Sequence, residues 1–183
     1  MFNPFKSNPF QRNYSVRELN LFRFLGKNAL FASLTKEEKY LFLPYLHVRV
    51  YKRNEAVFFR NDPSQALYIV KVGRVAIFLD VEDKTEQLQQ VRVSESFGEN
   101  ALLAGTRRMY NAVVSSEACE LYVIPQVSLL EILDKHPTVR ARVMTALAEQ
   151  YNRNNENLFR AYQTSFGLFD LAQAYQAEEE NQG

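Results

Sequence analysis

The stretch Ser96-Phe97-Gly98-Glu99-Asn100-Ala101-Leu102-Leu103-Ala104-Gly105-Thr106-Arg107-Arg108-Met109-Tyr110-Asn111-Ala112-Val113 decides how this chain is read. A glycine at 98 lets a ligand come close to the backbone. The apolar run Ala101-Leu102-Leu103 makes one helical turn, whose first N–H groups point outward and favour an anion. Glu99, just before that turn, is placed to accept from sugar hydroxyls. Arg108, on the far side of the loop, presents two N–H bonds to a phosphate. A carboxylate, a helix N-terminus and an arginine in one loop are the parts of a sugar–phosphate cradle.

On both sides of this loop the hydrophobic period is that of strands. From His47 to Ile124, Val48 and Val50 alternate with Arg49. Val75, Ile77 and Leu79 alternate with Arg74, Ala76 and Phe78. Val91 and Val93 flank Arg92, and Leu121 and Val123 flank Tyr122. Turn signals at Arg53-Asn54, Asn61-Asp62-Pro63-Ser64, Glu82-Asp83-Lys84 and Ser115-Ser116-Glu117 separate the runs. Many short strands at this spacing predict a roll, barrel or sandwich. Helical periods lie outside it. A first helix is expected over Val16 to Leu25, with Gly26 as the C′ residue that stops it. A second starts near Thr35, where Thr35-Lys36-Glu37-Glu38 fits a capping box, and Pro44 ends or kinks it. Val127 to Lys135 reads as a short helix, Thr138 to Tyr162 as a long one, and Leu168 to Ala177 as a last short piece after Gly167.

With these residues in place the chain resembles the cyclic nucleotide-binding domain family, of the catabolite-activator-like regulatory kind without a DNA-binding domain. The Ser96–Val113 loop is similar to that family's phosphate-binding cassette. Asn54-Glu55-Ala56-Val57-Phe58, Asn61-Asp62-Pro63 and Leu67-Tyr68-Ile69-Val70-Lys71-Val72-Gly73-Arg74-Val75 follow its upstream motifs, and Glu120 to Pro125 its closing strand. The resemblance runs from about Leu30 to Tyr151. It implies a mainly β fold with flanking helices: an antiparallel double-stranded β-helix, or jelly roll, with N-terminal helices and a long C-terminal helix. The implied organisation is an extension over 1–28, the roll over 29–137, and helices with an acidic tail over 138–183. The implied ligand is cAMP or cGMP, with no separate cofactor. Its candidate contacts are Gly98, Glu99, Asn100, Ala101, Arg107, Arg108 and Met109. Glu99 falls on the ribose-binding acid and Arg108 on the phosphate-binding base.

The departures from the family pattern bear on both fold and site. The two turn glycines of the family are Asn54 and Asn61 here, and asparagine is the side chain that best tolerates φ > 0. Arg107 replaces a proline, and either adds charge or faces solvent. Met109 replaces a small residue at the phosphate, and Tyr110 replaces an alanine. Two readings follow. One is a regulatory module that senses a 3′,5′-cyclic nucleotide and signals to a separate, unidentified protein. The other is a degenerate pocket on the same fold, acting by protein–protein contact.

Composition narrows the classes further. The chain has 183 residues, 46% apolar and 23% charged, which suits one domain with a substantial core. One cysteine, Cys119, rules out an internal disulfide and a cysteine-based metal site. No nucleophile elbow, Walker loop or metal-ligand cluster is present, and the expectation is no enzyme. No apolar run approaches the ~20 residues that span a bilayer, and the N-terminus does not read as a secretory signal, so the expected location is cytoplasmic. The net charge of +1 and the acidic end (Asp170, Glu178, Glu179, Glu180) predict no DNA binding. Val139, Val143, Ala146 and Leu147 in the 138–162 helix are candidates for a homodimer seam, or for packing on the roll. The repeated Asn3-Pro4-Phe5 and Asn8-Pro9-Phe10 read as turns whose rings pack back, or as docking tripeptides.

Overall fold

Two capping boxes set the N-terminal helices. Helix α1 (Val16–Leu25) begins at Ser15, whose Oγ accepts from the Glu18 N–H at 3.2 Å while the Glu18 carboxylate accepts from the Ser15 N–H at 2.6 Å. Helix α2 (Lys36–Tyr40) repeats the device: Thr35 Oγ1 accepts from the Glu38 N–H, and Glu38 accepts from the Thr35 N–H at 2.8 Å. Gly26 is not a left-handed C′ residue. It sits at φ −64°, ψ −15°. The helix ends instead in tightened turns, Lys27 N–H to Phe24 O and Asn28 N–H to Leu25 O. Buried Asn28 then ties the turn to the roll by donating from Nδ2 to Ser94 O at 2.9 Å. Pro44 falls in a short 3₁₀ turn, Leu43–Tyr45, that follows α2.

The computed structural model describes residues 13–81 and 84–166 of the chain. The Asn-Pro-Phe repeats and the expected helix from Leu168 to Ala177 lie outside the described residues. Among the described residues, eight strands follow the N-terminal helices: β1 (His47–Lys52), β2 (Ala56–Phe58), β3 (Ala66–Val72), β4 (Val75–Val81), β5 (Lys84–Val91), β6 (Ser96–Phe97), β7 (Asn111–Val114) and β8 (Ala118–Pro125). They pair antiparallel in two four-stranded sheets, ordered β1-β8-β3-β6 and β2-β7-β4-β5, the double-sheet arrangement of a jelly roll. Helices α3 (Gln126–Lys135) and α4 (Pro137–Phe166) close the described chain. No helix among the described residues is long and apolar enough to cross a membrane.

The core lies between the sheets. Tyr68, Val70, Leu121 and Val123 from one sheet face Phe58, Val75, Ile77, Ala112 and Val114 from the other, all buried. Cys119, fully buried on the same face, is held as a thiol, its pKa pushed up to about 11 by burial. The strand period holds in the core strands, but Val93 lies in the turn after β5, and in β1 only Tyr51 is partly buried against the core, on the face opposite to Val48 and Val50. In register with Val123, Leu121 and Cys119 stand His47, Arg49 and Tyr51. Val48 and Val50 point outward, 49% and 70% exposed. There Val48 lines a groove with Leu21 and Phe24 of α1 and with Tyr122 of β8.

Asn54 and Asn61 adopt φ of 67° and 69°, so asparagine does supply the left-handed turns that glycine supplies elsewhere. We expect Asn54→Gly to change stability by less than about 0.5 kcal/mol and Asn54→Ala to cost about 1 kcal/mol, because only alanine carries the full Cβ penalty. Urea denaturation of the two variants checks this, and equal losses would contradict it.

The chain divides into two compact units, residues 1–146 and 147–183, with the boundary inside α4. In the first unit Val139, Val143 and Ala146 are buried, so these candidate seam positions are packed within the chain. Arg142 pairs with Glu38 at 2.6 Å, joining α4 to α2. In the second unit, the helical residues Leu158 and Phe159 are exposed.

Candidate functional site

The cassette loop runs from β6 to β7 and is pinned at both ends. Phe97 of β6 pairs with Tyr68 of β3. At the other end the loop pairs with the β2–β3 turn. Arg108 N–H donates to Asp62 O at 2.8 Å, Asn61 N–H to Arg108 O at 2.9 Å, and Ser64 N–H to Thr106 O at 3.0 Å. Between these anchors Gly98 takes φ 73°, ψ 33° and opens a 3₁₀ turn over Glu99–Leu102. The turn closes on itself, since Ala101 N–H donates to Gly98 O at 3.1 Å.

Arg108 is the centre of the site. It is only 3% exposed. Its Nη1 donates to Gly98 O at 3.0 Å and to Asn100 Oδ1 at 3.2 Å, and its Nη2 donates to Ala66 O at 2.6 Å. Its guanidinium carbon stands 4.2 Å from the Phe58 ring centre and 5.5 Å from that of Tyr68, a cation–π arrangement. Nε is buried with no hydrogen-bond partner among the described residues. Burial pushes the Arg108 pKa down, while Tyr68, Tyr110 and Glu99 push it back up. It remains a cation, as arginine does. Glycine at 98 is what permits this approach: a Cβ there would lie 2.5 Å from Arg108 Nη1.

The other candidate residues divide. Glu99 is buried beside Arg108's acceptors and accepts from Ser96 Oγ at 3.3 Å. Asn100 clasps the loop, taking the Arg108 Nη1–H on Oδ1 and donating from Nδ2 to Arg107 O. Gly98, Glu99, Asn100, Ala101 and Arg108 therefore come together. Arg107 and Met109 do not join them. Arg107 lies on the surface and donates to Asn61 O at 2.8 Å. Met109, expected against the phosphate, is 70% exposed. Met109 lies in the bend that leads into β7, and its side chain turns to solvent while that of Arg108 is buried.

The same bend brings Tyr110 in. Its ring packs 5.6 Å from Phe58, and its hydroxyl accepts from the Gly98 N–H at 2.8 Å. Phe58, Tyr68 and Phe97 complete an aromatic cluster under the guanidinium, Tyr68 and Phe97 stacked at 5.1 Å. Phe58, Tyr68 and the Ala66 carbonyl were not among the sequence candidates. Tyr110 stood out in the sequence as a bulky residue in place of an alanine, but nothing local named the Gly98 N–H as its partner.

A family model described as the cyclic nucleotide-binding domain matches residues 48–136. The cyclic AMP receptor protein of Thermus thermophilus is 32% identical over 124 residues, which cover 66% of this chain and 56% of that protein. The chain thus spans about half the length of that relative. The crystal structure of the Thermus thermophilus catabolite activator protein superposes with a TM-score of 0.63 at 28% identity, covering 73% of this chain and 62% of that one. The N-terminal domain of a transcriptional regulator from Streptomyces coelicolor does so at 0.63 and 25% identity, covering 74% of this chain and 94% of that one. Through residues 48–136 the chain matches the cyclic nucleotide-binding domain family.

Proposed function

We propose that this domain binds a 3′,5′-cyclic nucleotide, with Arg108 opposing the cyclic phosphate and Glu99 accepting from the ribose hydroxyl, and that the bound state is read by a separate protein in the cytoplasm. The observation that carries this is the state of Arg108. The oxygens it donates to, those of Gly98, Ala66 and Asn100, are all neutral, and its buried Nε–H has no hydrogen-bond partner among the described residues. A buried cation with a spare donor is stabilised most by an anionic oxygen. Glu99, buried in the same loop, matches the other half of a sugar–phosphate ligand. A route out of the site also exists. Gln126, the first residue of α3, donates from Nε2 to Ala101 O at 3.2 Å and to Leu103 O at 2.9 Å, so a shift of the cassette turn is felt at that helix.

One observation favours the second reading, an interaction module with no nucleotide. Tyr110 already supplies the oxygen on the Gly98 N–H, and aromatic rings lie beneath Arg108. Calorimetric titration of the chain with cAMP and cGMP separates the two. We expect one-to-one binding in the micromolar range for at least one of them, about −8 kcal/mol. No heat with either at millimolar concentration would overturn the ligand reading and leave the interaction module.

A further inference from the structure

We propose that Tyr110 is an internal competitor of the ligand: its hydroxyl takes the Gly98 amide hydrogen bond that an anionic ligand oxygen would take, and this sets the affinity of the site. The inference rests on the ligand reading above. Three contacts carry it. The Gly98 N–H donates to Tyr110 Oη at 2.8 Å. Gly98 is the residue whose carbonyl Arg108 also holds, so tyrosine and arginine grip the two ends of one peptide segment. Both side chains rest on one ring, Phe58, at 5.6 Å and 4.2 Å. The cassette is therefore largely satisfied from within: Gly98 by a phenol, Ala101 by its own turn, and Arg108 Nη1 and Nη2 by neutral oxygens, with only Arg108 Nε–H left over.

A neutral hydroxyl is a weaker acceptor than a phosphate oxygen, so the phenol is displaceable. Its displacement breaks one neutral hydrogen bond and the ring's contact with Phe58, and whatever stabilises the self-occupied state is subtracted from ligand affinity. Removing the hydroxyl alone takes away that competitor while keeping the ring in the core. Loss of one neutral hydrogen bond from the ligand-free state tightens binding by roughly 3- to 10-fold. Removing the ring as well clears space and tightens it further.

Calorimetric titrations with cAMP and cGMP, on the wild-type chain, Tyr110→Phe and Tyr110→Ala, test this. Amide exchange at Gly98 is followed by NMR in the absence of ligand. The expected result is tighter binding by Tyr110→Phe, in the 3- to 10-fold range, together with faster exchange of the Gly98 amide in that variant. Equal or weaker binding by Tyr110→Phe, with wild type binding normally, overturns the competitor and leaves the ligand reading intact. Unchanged Gly98 exchange overturns it too. No heat from any of the three chains overturns the ligand reading, and the competition with it. Tyr110→Phe retains the half-buried ring, so it decides the question even where Tyr110→Ala fails to fold.

Discussion

Arg108→Ala is expected to weaken cyclic nucleotide binding at least about 100-fold while leaving the domain folded. Truncating one partner of a buried, hydrogen-bonded charge pair costs about 2–5 kcal/mol of binding, and two orders of magnitude correspond to about 2.7 kcal/mol. The effect on the fold is smaller because its contributions oppose one another. The variant orphans the carbonyl of buried Ala66 and loses the stacking on Phe58, but it also removes a desolvated cation. A net destabilisation of about 1–3 kcal/mol follows from one or two unsatisfied acceptors. Calorimetry and thermal melting on the same sample separate the two effects. Arg108→Lys sharpens the test: an ammonium keeps the charge but cannot donate to Gly98 O, Asn100 Oδ1 and Ala66 O as the planar fork does. Binding within a few-fold of wild type in the alanine variant would remove Arg108 from the site.

Gly73→Ala is expected to be the most damaging single methyl group in the domain. Gly73 lies in the turn from β3 to β4 at φ 87°. A Cβ there would stand 2.4 Å from Ala118 O, 2.5 Å from Ser116 Oγ and 3.1 Å from Cys119 Cα. The serine hydroxyl can rotate away. The Ala118 carbonyl cannot, because it belongs to the backbone of β8, which pairs with both β1 and β3. The left-handed conformation adds about 1–2 kcal/mol and the forced shift of a packed strand about 1–3 kcal/mol. The sum, about 2–5 kcal/mol, lowers the melting temperature by roughly 4–20 °C in a chain of this size. A loss below about 1 kcal/mol would mean that the β3–β4 turn moves freely against β8.

The asparagine turns and the Gly73 turn differ in a way that divides sequence from structure. At Asn54 and Asn61 the need for φ > 0 is local and the residue type announces it. At Gly73 the need is partly conformational and partly a close approach to residues 116–119, which no local pattern displays. The same division holds at Gly26, where the residue suggested a left-handed cap and the chain instead turned in the right-handed region, with Lys39 Nζ close by.

What the sequence determined by itself is whatever is settled within a few residues. The bounds of α1, the capping box at Thr35, the period-two strands, the asparagine turns and the order of motifs around Gly98, Glu99 and Arg108 are of this kind. They depend on contacts between residues i and i+3, or on one residue's own φ. Tertiary structure alone decided that Val48 and Val50 face out while Tyr51 packs against the core, since Val48 and Val50 alternate with Arg49 equally well in either orientation. It also decided that Met109 faces solvent while Tyr110 enters the cradle, and that Arg108 is held by Ala66, 42 residues away in sequence. An alternating pattern carries a period but no phase. The phase is set where two sheets close over one another, by partners the local sequence does not name.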